Sequence, residues 1–237
     1  MQMVNENPCR NVTLPKPNTK ERDIYTIEEA QQMLELFEKE DKCNFKYVVF
    51  FTIALYTGLR KGELLGLEWK DFDFERKLMT VCRSSLWTKE KGVYTDTPKP
   101  ETSKRVLNIP DNIVKLLTEY KAYQQEQIKA IGSKWVDHDR LFTQWNGLPM
   151  YPTAPYYFFK QFCKRTGMRY VSRHSFRHFN ATVMIENGVD VKTVQSCLGH
   201  SSPTTTMTCY LHSFQTQQAL AMKSVAETLN LKKTANG

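Results

Sequence analysis

Apolar side chains return at intervals of three and four along much of this chain, and the runs break at glycine, proline and asparagine. Thr26-Ile27-Glu28-Glu29 has the form of a capping box, and Ala30, Met33, Leu34 and Phe37 follow at helical spacing. That pattern predicts an amphipathic helix over residues 26–40. Asn44 to Tyr56 is apolar nearly all round, which predicts a buried helix that Gly58 breaks. Residues 70–110 change character. Asp71 to Phe74 predicts a turn, and Leu78–Cys82, the stretch around Val93-Tyr94 and Arg105–Ile109 are rich in β-branched and aromatic residues, so one small antiparallel sheet is expected. Asp111 is placed to cap a helix running to about Ile131, with Ile113, Leu116, Leu117 and Tyr120 on one stripe. Residues 132–154 carry loop signals, with Trp135, Leu141, Phe142 and Trp145 expected to cover the core. Ala154 to Arg165 reads as a helix closed by Gly167.

The last third is more densely punctuated. A helix through Phe179, Val183 and Met184 ends at Asn187-Gly188; Asp190 caps a second, short helix that Gly199 closes; Ser202-Pro203 opens a third. Residues 213–229 read as helical and Lys232 to Gly237 as a frayed tail. Residues 1–16 lack periodicity and carry Pro8 and Pro15, which reads as a linker or arm. The pattern as a whole predicts a mostly helical α+β fold, and the length suits one good-sized domain or two small ones.

Composition adds less. The chain has 237 residues, 41% of them hydrophobic, enough for a real core. Lys plus Arg exceed Asp plus Glu, 33 against 25, which fits a polyanionic partner such as nucleic acid and equally fits ordinary solubility charge. The six cysteines form no CxxC pair, which argues against a zinc knuckle or a disulfide framework and suits a reducing, cytosolic setting. The most apolar run, Tyr47 to Tyr56, is half the roughly 20 residues of a membrane span, and no signal peptide is recognisable.

Candidate chemistry concentrates between Ser172 and Tyr210. His174 and Arg177 are three apart, which on a helix places them one turn apart on one face; His200 follows the second helix and Tyr210 lies ten residues beyond it. Arginine offers a planar fork of donors for phosphate oxygens, histidine exchanges protons near neutral pH, and tyrosine is an oxygen nucleophile. Together they suggest attack on a phosphodiester by tyrosine. Cys197 and Cys209 have no recognisable signature around them. Upstream, Arg60 follows the Gly58 break beside an apolar core, a place suited to hold an arginine rigidly; the competing reading is a surface arginine at a helix end near Glu63. Lys99 sits on the loop Thr97–Arg105 between Pro98 and Pro100. It is either a positioned cation, reaching a DNA backbone or donating a proton to a leaving oxygen, or a solvated lysine. His174 and His178 have the spacing of a metal pair but lack the glutamate of HExxH and a third ligand, so no metal is assigned.

TGLRKGEL, TPKPETSKR, HSFRH, LGHSS and the closing Tyr210, in that order, resemble the catalytic domain of the tyrosine recombinase (phage integrase) family, across residues 17 to about 215. The flavour is that of integrases of phages and conjugative transposons of Gram-positive bacteria. The resemblance implies that Arg60 and Arg177 grip the non-bridging oxygens of the scissile phosphate and that Lys99 protonates the leaving 5′ oxygen. This chain has Pro100 where the family often has threonine, with Lys104 as a second cation nearby. It implies further that His174 acts as acid/base, that His200 donates a hydrogen bond to the phosphate, that Tyr210 attacks to give a 3′-phosphotyrosine link, and that Glu63 steadies the site from behind. Arg83, Lys104 and Arg173 are candidate DNA contacts. The implied partner is duplex DNA, held by a homo-tetramer on two sites, in a bacterial cytosol or nucleoid. A smaller core-binding domain precedes the catalytic one in this family, and the linker-like start fits a chain beginning just after it. Two bidentate arginines with histidine and lysine donors can stabilise a five-coordinate phosphorus without a metal, and no acidic cluster suited to Mg²⁺ is recognisable, so no cofactor is expected. Two other readings stand beside site-specific recombination: a type IB topoisomerase-like strand transferase, and a non-enzymatic DNA-binding protein of the same fold.

Overall fold

A computed structural model describes residues 23–96, 104–199 and 222–229, apart from the side chain of Arg173. Seven helices and five short strands are named here: α1 (Ile27–Glu38), α2 (Phe45–Thr57), α3 (Lys61–Gly66), β1 (Phe72–Asp73), β2 (Leu78–Val81), β3 (Ser84–Thr88), β4 (Gly92–Asp96), β5 (Arg105–Asn108), α4 (Asp111–Ile131), α5 (Ala154–Thr166), α6 (Arg173–Glu186) and α7 (Val191–Leu198). Residues 222–229 are also helical, with every residue exposed. Among the described residues no helix is long and apolar enough to cross a membrane.

Helix α2 is the axis of the core, and its sequence explains why. From Val48 to Leu55 every residue is buried, so the helix must be surrounded on all sides. α1, α4, α5 and α6 supply those surroundings. Phe51, fully buried, stacks on Phe159 of α5 (centroids 4.6 Å apart) and meets Phe176 of α6 at 5.7 Å. Burying such a ring stabilises the fold by roughly 1.5–3 kcal/mol. Because Phe176 precedes Arg177, this aromatic packing also sets the rotation of α6 and turns Arg177 inward. A second, smaller apolar cluster (Ala181, Ile185, Val194 and Leu198) fastens α7 to α6.

The helix ends follow the expected chemistry. Thr26 caps α1 in a two-way capping box with Glu29 (3.2 and 2.8 Å), and Asp190 caps α7 through the amides of Lys192 and Thr193, both at 3.0 Å. Gly58, Gly167 and Gly199 close α2, α5 and α7 in the left-handed conformation, which costs an L-residue roughly 1–2 kcal/mol.

The sheet region departs from expectation. Instead of one sheet there are two: β1-β2-β5, antiparallel, with Met79 opposite Leu107, and a separate ribbon of β3 and β4, with Leu86 opposite Tyr94. β3 has no apolar alternation; its Leu86 and Trp87 are exposed. That left the Val93-Tyr94 strand without a visible partner at the level of sequence. Part of the predicted Asp71–Phe74 turn is strand β1; the turn follows at residues 74–77. Pro110, not Asp111, occupies the cap position of α4, and the Asp111 carboxylate pairs with Lys77 at 2.5 Å. Trp145, expected over the core, is 64% exposed, whereas Leu141 and Phe142 are fully buried. The helices predicted after Ser202 lie outside the described residues except for 222–229.

Candidate active site

The site is built around the carboxyl end of α7. The last carbonyls of a helix have no intrahelical donor and carry the negative end of its dipole. The Gly199 amide folds back to Gln195 O (2.8 Å) and Ser196 O (3.2 Å). The next three carbonyls are met by three arginines from three different elements. Arg105 Nε donates to Cys197 O at 2.8 Å, Arg177 Nη2 to Leu198 O at 2.6 Å, and Arg60 Nη2 to Gly199 O at 2.8 Å.

Each arginine is placed by local structure. Arg60 is the N-cap of α3, reached by the left-handed turn at Gly58, and its amide donates to Glu63 Oε2 (2.8 Å) while its Nη1 donates to Glu63 Oε1 (2.9 Å). Its side chain stays 41% exposed. Arg177 comes from α6 and is buried; its Nη1 donates to Gly58 O at 2.9 Å, so one guanidinium ties the end of α2 to the end of α7. One turn further along α6, Asn180 Nδ2 donates to Leu55 O (3.1 Å) and Tyr56 O (2.9 Å), satisfying two more carbonyls at the end of α2. Arg105 opens β5 and also grips Glu63, Nη2 to Oε2 at 3.0 Å and Nη1 to Oε1 at 3.2 Å.

Glu63 therefore sits buried between two guanidinium groups. Burial pushes its carboxyl up, but the hydrogen bonds and charge of Arg105, then the amide and charge of Arg60, outweigh that push and hold it below the ordinary glutamate range. It stays ionised, and its charge holds both arginines in fixed orientation. The arrangement offers preorganised positive charge whose geometry is set from behind by a carboxylate and by backbone dipoles, the kind of site that stabilises an oxyanion.

The structure brings Arg60, Glu63 and Arg177 to one place. His174 lies in the first turn of α6 and is exposed, although Arg177 three residues on is buried; His178 is half-buried. The single face expected for the pair thus spans a boundary between interior and surface. Lys99, His200 and Tyr210 lie outside the described residues. Of the candidate DNA contacts, Lys104 is exposed, and Arg173 is the first residue of α6. Arg83 has internal partners rather than an open guanidinium: its Nη1 lies 2.5 Å from Asp71 and 3.2 Å from Glu68, and its side chain is 16% exposed. Among the described residues no group of three His, Cys, Asp or Glu is placed to hold a metal ion. Sequence reasoning did not single out Arg105 or Asn180. A signal for Arg105 existed: alternation along β5 puts it on the same side as Leu107, opposite the exposed Val106.

Comparison with known proteins places this geometry in context. The model of the phage integrase family matches residues 24–217. The ICEBs1 integrase of Bacillus subtilis is 32% identical over 229 residues, covering 97% of this chain and 60% of that protein. A XerC-like tyrosine recombinase of Caldanaerobacter subterraneus subsp. tengcongensis is 33% identical over 237 residues, covering 95% of this chain and again 60% of that protein. The chain thus spans three-fifths of the length of these two relatives. The Tn1549 transposon integrase, solved in complex with transposon right end DNA, superposes with a TM-score of 0.77 at 23% identity, covering 94% of this chain and 73% of that one. At that identity the likeness carries the fold alone, and it agrees with the mostly helical α+β architecture described above.

Proposed function

The chain belongs to the phage integrase family, and from that premise we propose that it cleaves and rejoins duplex DNA as a site-specific recombinase, through a covalent 3′-phosphotyrosine formed by Tyr210. The observation that carries this is the convergence of Arg60 and Arg177, far apart in sequence, on adjacent carbonyls at the end of α7. Such a pair suits a phosphate whose non-bridging oxygens gain charge as phosphorus becomes five-coordinate.

In the proposed reaction the Tyr210 oxygen bonds to phosphorus and the P–O5′ bond breaks. The tyrosine proton leaves toward His174, and Lys99 supplies a proton to the departing 5′ oxygen. His200 donates a further hydrogen bond to the phosphate. The link conserves the phosphodiester, so a 5′ hydroxyl of another strand can reverse the step without ATP. The charge is supplied by side chains, so no step calls on a metal. The test is a nicked duplex from the parent element's end, incubated with the full-length protein in EDTA. A protein–DNA band that survives denaturation is expected; its absence on the proper site contradicts the proposal.

Residues 17–237 are the proposed catalytic unit, with 1–16 as its connecting arm. A tetramer on two DNA sites would bring four such units together. The helix at 222–229 fits a role between copies: Met222, Val225 and Leu229 are 65%, 54% and 61% exposed, an apolar row with no cover from its own domain among the described residues. Deleting residues 216–237 from the full-length protein should abolish recombination of paired sites while single-site DNA binding persists. Recombination at the undiminished rate would rule out a role for this helix in trans.

A further inference from the structure

Arg105 has no part in the reaction proposed above, yet it is tied to that machinery from two directions. Its side chain is 7% exposed, and its three guanidinium nitrogens reach two different groups. Two of them, Nη1 and Nη2, take both oxygens of Glu63, the carboxylate that also holds Arg60 by amide and side chain. The third, Nε, takes Cys197 O, two residues before the carbonyl that accepts from Arg60. Arg105 and Arg60 therefore share one carboxylate and one helix end.

We propose that Arg105 is a positioning residue for strand cleavage: it locks Glu63 and the carboxyl end of α7 into one frame, and that frame aims Arg60 at the scissile phosphate. The inference rests on the reading of this site as one that cleaves DNA. Charge balance alone does not explain the arrangement. Arg60 already stands beside Glu63 at 2.9 Å, and a second cation there need not have reached α7. What Arg105 adds is a rigid span, since a planar fork plus Nε can hold a carboxylate and a carbonyl together, whereas a lysine places all its donors on one atom. The site is tightly built around that span: a Cβ at Gly199 would lie 2.6 Å from Arg105 Nη1. The position in the chain raises a rival. Arg105 closes the segment Thr97–Arg105 that carries Lys99, and on the rival reading it only anchors that segment and thereby the protonation of the leaving oxygen.

The test is Arg105→Lys in the full-length protein, with single-turnover formation of the covalent adduct measured at saturating site DNA. It uses two nicked substrates, one with the natural 5′ oxygen and one with sulfur in the bridging 5′ position. Sulfur leaves as a stable thiolate and needs no proton donor; in that step the Tyr210 O–P bond forms as the P–S5′ bond breaks. The variant should bind DNA with an affinity near that of the unaltered protein. It should form adduct about 10–100-fold more slowly, as expected on loss of an outer partner that orients a catalytic group, and by the same factor on both substrates. Recovery on the sulfur substrate alone would overturn the proposal in favour of the Lys99 loop. An adduct rate equal to that of the unaltered protein would show that charge suffices and overturn it, as would loss of DNA affinity in step with rate. Should Arg105→Lys fail to fold, Glu63→Gln, which keeps the shape but weakens the shared anchor, is held to the same outcomes on the same substrates. If the unaltered protein forms no adduct, the reading of the site as strand-cleaving falls as well; if only the variant comparison fails, that reading stands.

Discussion

Replacing Arg177 by glutamine should both lower the melting temperature and reduce adduct formation by about 10³-fold, the upper range for loss of one oxyanion donor. The two effects have separate origins. Arg177 is buried and satisfies Gly58 O and Leu198 O, the carbonyl ends of two helices. Glutamine is too short to meet both, and a buried acceptor left without a donor costs about 1–3 kcal/mol. For a chain of this size that lowers the melting temperature by roughly 2–12 °C. The chemical loss comes from the missing charge. Arg177→Lys separates the two: it restores a cation but not a fork, so it should recover part of the stability and little of the rate. A glutamine variant that melts lower yet cleaves normally would remove Arg177 from the reaction and leave it a structural pin.

The second large effect concerns Tyr210. Without a phenolic oxygen there is no nucleophile, so Tyr210→Phe should yield no covalent adduct at any time of incubation. DNA affinity should change little, because phosphate contacts rather than one hydroxyl dominate binding to duplex DNA. Band-shift titration at fixed salt, alongside the denaturing gel, measures both. Adduct formation by the phenylalanine variant equal to that of the unaltered protein would sink the assignment. Loss of affinity together with loss of adduct would instead make the hydroxyl a binding group.

Much of this organisation is written in local chemistry. The capping box at Thr26, the cap at Asp190 and the glycine stops at Gly58, Gly167 and Gly199 act within a few residues, so they can be read without knowing what packs nearby. The all-apolar α2 was legible for the same reason: only a surrounded helix tolerates that composition. Arg60, Glu63 and Arg177 were legible because their motifs are ordered along the chain.

What escaped was set by contacts distant in sequence. β3 forms because α3 and β4 pack beside it, not because Ser84–Thr88 alternates. Trp145 stands exposed while its neighbours Leu141 and Phe142 fill the core, a difference that composition cannot reveal. Asp111 has a capping side chain but lost the cap position to Pro110 and pairs with Lys77, at the end of the turn that precedes β2. Arg105 looked like one of several cations on a loop. Its contact with α7 is made to Cys197 O, 92 residues further along the chain. The site is thus more than its motif: the motif names the groups proposed to face the phosphate, and long-range packing supplies the groups that hold Arg60 and Arg177 in place.

The most direct measurement is to isolate the protein–DNA adduct formed in EDTA by the full-length protein, digest it, and identify by mass the peptide that carries the nucleotide. The expected result is a single modified peptide with a 3′-phosphate esterified to Tyr210. A nucleotide on any other residue, or no adduct from the full-length protein on its own site, would contradict the proposed tyrosine transesterification.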